Sequence, residues 1–183
     1  RQAIMKDPNW HNGNYLEKGV MPNQGLSLAR MLGHITYLSD ESMREKFGRD
    51  LKNSKLGFNY DVEFQIESYL RYQGEKFVTG FDANTYLLMT KSLDYFDPVK
   101  DMADTLIKNL DKCSAKFLII SFTSDWRFPP KRSKEIVKLL LDNEMDVSYS
   151  EISADGGHDA FLMDNKDYFD IMASFIKEST NGL

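Results

Sequence analysis

An α/β fold with two parallel strands near its end is predicted by three observations in the 183-residue sequence. The apolar run Phe117-Leu118-Ile119-Ile120 reads as a strand of the buried type. A second strand-like run covers Val147 to Ile152. Each is followed by a stretch of helical periodicity. Lys131 to Asn143 places Ile136, Leu139 and Leu140 inward, and Tyr168, Ile171, Met172 and Phe175 mark a last helix. Strand, helix, strand, helix implies parallel pairing with a right-handed crossover. Two strands alone do not make a stable covered sheet. The rest of the sheet is expected in residues outside this sequence.

The elements before these strands read as helices. Residues 1–20 are irregular, with turn formers dense in Asp7-Pro8-Asn9-Trp10-His11-Asn12-Gly13-Asn14. Pro22 suits a helix's first turn, where its missing N–H costs nothing. Leu28, Leu32, Ile35 and Leu38 then recur at helical spacing. Ser39 is an N-cap for a second helix through Phe47. Asp61 is read as the cap of a third, with Val62, Ile66, Tyr69 and Leu70 on one face and Gly74 at its end. A fourth follows Asp82, carries Tyr86, Met89, Thr90 and Leu93 in register, and stops before Asp97-Pro98. A short helix from Val99 to Leu110 leads into the first strand.

Bulk properties exclude several classes. Hydrophobic content of 42% with 28% charged residues reads as globular and soluble. The net charge is −5 and the pI about 5.2, with Lys and Arg scattered. Neither nucleic acid nor a membrane surface is an expected partner. Cys113 is the only cysteine, so no intrachain disulfide forms, which fits a reducing, cytoplasmic compartment. No apolar run approaches the roughly 20 residues of a membrane span, and no signal-peptide pattern opens the chain. The opening Arg1-Gln2-Ala3-Ile4-Met5 is already patterned and reads as a truncated or processed start.

Chemistry concentrates in the loops after the two strands. Ser124-Asp125-Trp126-Arg127-Phe128-Pro129-Pro130 follows the first, and Gly156-Gly157-His158-Asp159 follows the second. Two glycines let the backbone turn sharply and present His158 at a sheet edge, and its titration range suits a general base. Asp125 lies past the other strand's end, where α/β sites form, on a loop stiffened by Pro129-Pro130. A triad acid must hold the imidazole tautomer and stabilise the imidazolium. Taken singly, His158 could be a surface-loop histidine and Asp125 a helix cap. Together, in this strand context, they read as base and acid of an α/β-hydrolase triad, whose chain order is Ser, Asp or Glu, His. No G-x-S-x-G elbow occurs in the sequence, so the nucleophile is missing.

A third constellation is Arg30, His34 and Tyr37, whose spacings of four and three put them on one helix face. An Arg beside a Tyr suits an anionic group, because the guanidinium fork binds a carboxylate at two points. A solvated polar face is the alternative. Asp159 could meet a cationic amine, pair with Arg30, or cap the following helix.

With these residues in view, the sequence resembles the homoserine O-acetyltransferases of the α/β-hydrolase superfamily. The resemblance runs through Asp7-Pro8-Asn9-Trp10 with Gly13 and Tyr15, and through Gly25-Leu26 with Ala29-Arg30. It continues in His34-Ile35-Thr36-Tyr37, Lys46-Phe47-Gly48-Arg49, Glu67-Ser68-Tyr69-Leu70 and Phe81-Asp82-Ala83-Asn84. Ser124-Asp125 and Gly157-His158-Asp159-Ala160-Phe161-Leu162 close it. It implies the C-terminal part of an α/β-hydrolase fold, with the last two parallel strands, their flanking helices and a helical lid. Residues 1–20 would connect from the missing core, 21–97 form the lid and dimerisation block, and 98–183 complete the core. The implied activity is ping-pong transfer of acetyl from acetyl-CoA, through an acyl-serine, to homoserine in methionine synthesis. Related enzymes use succinyl-CoA.

By resemblance Asp125 and His158 are catalytic, Arg30 holds the substrate carboxylate, Tyr37 neighbours it, and Asp159 lies near the substrate amine. No cofactor or metal is implied beyond the acyl-CoA substrate, and a homodimer would form through the lid. The chain alone, lacking a nucleophile, is expected to be inactive. An ester or thioester hydrolase with the same triad, or a non-enzymatic helical interaction module, are the competing readings.

Overall fold

A computed structural model describes residues 1–97, 100, 110 and 112–180. The expected helix from Val99 to Leu110 falls almost wholly outside the described residues. The chain forms two compact units, one of residues 1–35 and 43–96, the other of residues 36–42 and 97–183.

The first unit is helical. Its elements are α1 (Gln2–Met5), a 3₁₀ segment (Pro8–Gly13), most of α2 (Asn23–Tyr37), α3 (Asp40–Phe47), α4 (Gln65–Val78) and α5 (Ala83–Tyr95). The first twenty residues, irregular by composition, are thus ordered into short helical turns. The turn formers still show: His11 and Asn12 adopt left-handed backbone within the 3₁₀ segment. Asp7 is buried and joins two segments, one carboxylate oxygen accepting from the Asn9 N–H at 2.9 Å and the other from the Gly25 N–H at 2.8 Å. Ile4, Tyr15, Leu26, Ala29 and Ala83 form the core, with Trp10, Phe77, Tyr86 and Leu87 packed against it.

Several local expectations need correction. The stripe Leu28, Leu32, Ile35 is not the buried face of α2; all three are exposed, and Leu26 and Ala29 point inward instead. On α5 likewise Met89 and Leu93 are exposed while Ala83, Tyr86 and Leu87 face the core. Asp61 does not cap the third helix. Phe64 occupies the cap position, and the Glu67 carboxylate reaches back to accept from the Phe64 and Glu63 N–H groups, both at 3.1 Å. These bonds hold the Glu67 carboxyl below its ordinary pKa. Gly74 lies inside α4 and is buried. A Cβ there would stand 2.2 Å from Ser27 Oγ and 2.9 Å from Ser27 O, so the glycine permits close approach of α2 and α4.

Ser39 and Asp82 cap as the sequence indicates. Ser39 Oγ accepts from the Ser42 N–H at 3.0 Å, and Asp82 accepts from the Thr85 N–H at 2.7 Å.

In the second unit β1 (Phe117–Phe122) pairs in parallel with β2 (Val147–Ile152), in register from Phe117 opposite Val147 to Phe122 opposite Ile152. Between them runs α6 (Pro130–Asp142). Leu140 is buried, but Ile136, expected inward, is exposed. A 3₁₀ turn (Gly157–Leu162) and α7 (Lys166–Thr180) follow β2. The core gathers Phe122, Ile152 and Ala160, backed by Ile120, Ala154, Tyr168 and Ile171. Phe117 to Ile120 are only half-buried.

One polar contact in the first unit has a calculable pH signature. The hydroxyl of fully buried Tyr15 donates to Asp82 and accepts from the Asn84 N–H at 3.1 Å. Burial, then the bond to Asp82, raises the Tyr15 pKa. Burial opposes ionisation of Asp82, but the Tyr15 hydroxyl and the Thr85 N–H outweigh it and leave the carboxyl pKa lowered. Tyr15→Phe should therefore cost about 1–3 kcal/mol at neutral pH, the penalty for removing one partner of a buried hydrogen bond. The Asp82 share is present above the usual aspartate pKa and vanishes as pH falls through its lowered native value. The Tyr15 share is present below the usual tyrosine pKa and vanishes as pH rises through its raised native value. Urea unfolding of wild type and variant should thus differ most between about pH 5 and 9, with the gap narrowing on both sides.

Candidate active site

Parallel pairing brings the two strand ends to one edge. Thr123, the first residue past β1, donates its N–H to Ile152 O at 2.9 Å, and the Ala154 N–H donates to Thr123 Oγ1 at 3.2 Å. Asp125 and His158 lie a few residues beyond this clasp. Asp125 is buried, and its two oxygens do different work. Oδ1 accepts from the Arg127 N–H at 3.0 Å and the Phe128 N–H at 2.8 Å. Oδ2 stands 2.9 Å from His158 Nδ1. A carboxylate can only accept, so His158 presents a proton on Nδ1 and leaves Nε2 with its lone pair as a base.

The His158 loop is held by backbone geometry as much as by side chains. Gly157 has φ +69°, and a Cβ on it would stand 2.5 Å from Ser39 N and 2.6 Å from Tyr37 O. Only glycine fits this backbone and this approach. The Gly157 N–H donates to Ser124 Oγ at 2.9 Å, tying the histidine loop to the acid loop. Ser39 Oγ donates to Asp155 O, and Ser42 Oγ donates to the same carbonyl at 2.9 Å.

Aromatic rings surround the imidazole. Phe128, Phe161 and Tyr37 have ring centroids 5.0, 5.7 and 6.0 Å from that of His158. A cavity of about 370 Å³ opens beside it, lined in part by Ile120, Phe122, Asp125, Phe128, His158 and Phe161. The arrangement can take a proton from a nucleophile placed at Nε2 and hold the resulting imidazolium against a fixed carboxylate.

The geometry joins Asp125, His158 and Tyr37 in the second unit, with Asp159 half-buried beside His158 in the same 3₁₀ turn. Arg30 belongs to the first unit. There its guanidinium lies 4.7 Å from the Phe77 ring centroid and lines a cavity of about 290 Å³ with Gln73, Lys76, Gly80 and Phe81. His34 is not part of a solvated face. It is buried, with Nδ1 3.3 Å from the Tyr69 hydroxyl and the two rings edge to face. Among the described residues no group of His, Cys, Asp and Glu could hold a metal ion, and no helix is long and apolar enough to cross a membrane.

Sequence reasoning missed the roles of Ser124, Phe128 and Phe161, and the second role of Ser39 beyond its helix cap. Ser124, Phe128 and Phe161 flank the acid and the base by one to three positions, which was the available signal. Ser39 acts across 116 residues and left none.

No family model matches the chain. A homoserine O-succinyltransferase of Hydrogenovibrio crunogenus is 62% identical over 179 residues, covering 97% of this chain and 46% of that protein. A homoserine O-succinyltransferase of Nitrosomonas eutropha is 60% identical over 176 residues, covering 96% of this chain and 47% of its own length. The chain thus spans about half the length of the curated relatives it matches. Among solved structures, homoserine O-acetyltransferase from Bacillus anthracis superposes with a TM-score of 0.73 at 22% identity, over 87% of this chain and 42% of that one. Esterase E22 gives 0.76 at 21% identity, over 97% and 47%. At these identities the structural likeness establishes the fold, that of the α/β-hydrolases.

The Asp125 contact fixes a tautomer, which nuclear magnetic resonance can read. With ¹⁵N-labelled histidine, His158 should show its neutral-form proton on Nδ1. In Asp125→Asn the replacement amide can donate as well as accept, and the Nδ1-protonated population should fall. An unchanged tautomer would mean that the carboxylate does not orient the ring.

Proposed function

The chain belongs to the homoserine O-acyltransferase family of the α/β-hydrolase superfamily, and we propose that it contributes the acid–base half of an acyl-CoA:L-homoserine O-acyltransferase. The 2.9 Å contact of Asp125 with His158 at the ends of two parallel strands carries this reading. In it His158 Nε2 deprotonates a serine supplied by residues outside this sequence. The serine attacks the acyl-CoA thioester, and CoA leaves as the thiol with the proton passed back through His158. His158 then deprotonates the homoserine hydroxyl, which takes the acyl group and frees the serine. Asp125 keeps the imidazole oriented and stabilises its charged form in both halves. No cofactor beyond the acyl-CoA substrate takes part.

Succinyl is the favoured donor. The relatives that match nearly all of the chain at about 60% identity are named for it, whereas the resemblance noted in the sequence pointed to acetyl. By the resemblance, Arg30 is assigned to the homoserine carboxylate, Asp159 to its ammonium group, and Tyr37 to substrate binding. A homodimer through the helices of residues 21–97 is part of the same reading, supported by the exposed apolar side chains Leu28, Leu32, Leu88 and Leu93.

Two measurements test it. The 183-residue chain alone should release no CoA from succinyl-CoA or acetyl-CoA above background, because it has no serine elbow to acylate. The full-length protein should transfer an acyl group to homoserine, and Asp125→Asn should lower kcat about 10³- to 10⁴-fold by the precedent of triad acids. Hydrolysis of acyl-CoA without transfer to homoserine would overturn the acyltransferase reading.

Arg30 separates the two half-reactions. In the full-length protein Arg30→Ala should lower kcat/KM for homoserine roughly 30- to 1,000-fold, from losing about 2–4 kcal/mol of a two-point charged contact. The acyl-enzyme burst should persist, since acylation needs only donor, triad and oxyanion hole. Arg30→Lys should recover part, an ammonium lacking the planar fork. Equal damage to both half-reactions would make Arg30 a structural residue of its helix.

A further inference from the structure

Two bonds of equal length join the acid loop to the histidine loop, and they fall on adjacent residues. Asp125 Oδ2 stands 2.9 Å from His158 Nδ1. One position earlier on each loop, the Gly157 N–H donates to Ser124 Oγ, also at 2.9 Å. The first bond is side chain to side chain. The second runs from a side chain to the backbone that leads directly into the histidine. Ser124 itself lies two residues past β1, close to the rigid end of that strand.

The Gly157 N–H has no acceptor in its own loop. It opens the 3₁₀ turn Gly157–Leu162, and the first N–H groups of a helical turn have no partner within it. The common remedy is a side-chain oxygen on the preceding residue, but that residue is Gly156. Gly157 is buried, where an N–H without an acceptor is unfavourable. Ser124 Oγ therefore caps this turn from the other loop, 33 residues away in the chain.

The rings around His158 do not hold it in place. Phe128 and Phe161 are 55% and 42% exposed, and exposed side chains change rotamer readily. The Asp125 bond decides which ring nitrogen carries the proton, but it acts at the far end of a rotatable side chain. What sets the His158 backbone relative to Asp125 is the left-handed turn at Gly157, pressed against the Tyr37–Ser39 backbone, and its bond to Ser124. Rate responds steeply to such placement: a shift of about 1 Å can lower it about 100-fold.

We propose that Ser124 is a positioning residue for the acid–base pair: by accepting the Gly157 N–H, its hydroxyl oxygen keeps the His158 backbone in register with Asp125 and so presents Nε2 at a constant place. This rests on the acyltransferase reading above. Ser124 acts through Gly157 and His158. Because His158 is the base in both half-reactions, the effect of Ser124 falls on both alike. That separates it from Arg30, whose loss falls on the use of homoserine.

The test uses the full-length protein with succinyl-CoA and homoserine. Ser124→Ala should lower kcat about 10- to 100-fold, with KM for either substrate within about threefold of wild type. Acylation and transfer to homoserine, measured separately, should slow by the same factor. In ¹⁵N-histidine spectra the Nδ1-protonated population of His158 should fall, because the ring no longer meets Asp125 in line. Ser124→Thr keeps the acceptor oxygen and should recover at least about one third of wild-type kcat. Amide hydrogen exchange on the wild type should show the Gly157 N–H protected, a readout that needs neither variant nor turnover. A folded Ser124→Ala protein with kcat within about threefold of wild type, or with an unchanged His158 tautomer, would reduce Ser124 to a structural cap and overturn the assignment. So would a Ser124→Thr protein as slow as Ser124→Ala, or a Gly157 N–H that exchanges as fast as an open loop. If the wild type transfers no acyl group to homoserine, the acyltransferase reading falls, and the tautomer and exchange results decide the role of Ser124 by themselves.

Discussion

The buried carboxylate of Asp125 ties the second unit's chemistry to its backbone. One oxygen accepts two successive N–H groups of its own loop, and the other faces His158. Each bond constrains the other. The backbone donors set the plane of the carboxylate, and that plane sets where the imidazole must lie. A charge-assisted bond to a group already held by two others loses little freedom on forming, so the pair is organised before any substrate arrives. Burial strengthens it further, because a carboxylate excluded from water interacts more strongly with every donor that reaches it.

Around that bond the protein gathers aromatic rings from short-range elements. Phe128 sits three residues past the acid and Phe161 three past the base, so each loop brings its own apolar wall. Tyr37 arrives from elsewhere in the chain, and room for it is made by a glycine whose missing side chain lets the strand-end loop press against the Tyr37 and Leu38 backbone. Phe128 and Phe161 are themselves exposed, so they border the imidazole without closing it off, and with Ile120 and Phe122 they give the adjoining cavity an apolar wall.

The legible parts of this structure were those written locally. Both strands could be read, the first from a short bounded apolar run and the second from a short weak alternation, and the meeting of Asp125 with His158 because each follows a strand end. The Ser39 and Asp82 caps each act within four consecutive residues. What failed was tertiary. Gly74 resembles a helix terminator, yet it marks where Ser27 of another helix comes within contact. Glu67 displaced Asp61 as the organiser of α4 because a carboxylate inside the first turn can reach back to two N–H groups. The Leu28, Leu32, Ile35 stripe obeys helical periodicity, but the covered face is that of Gly25, Leu26 and Ala29, because the glycine lets α1 press against α2. Periodicity tells that a face exists, not which of two apolar faces the fold covers.

The second unit is discontinuous in sequence, since residues 36–42 belong to it while those on either side belong to the first. Its order of assembly is thereby constrained. The Ser39 bond to the Asp155 carbonyl closes a loop of 116 residues, and such a closure gains little until most of the intervening chain is already compact. On a ribosome, residues 36–42 emerge long before the strands they will meet. The acid–base pair therefore matures late, when the loops that follow the two strands reach back to a segment made well before them.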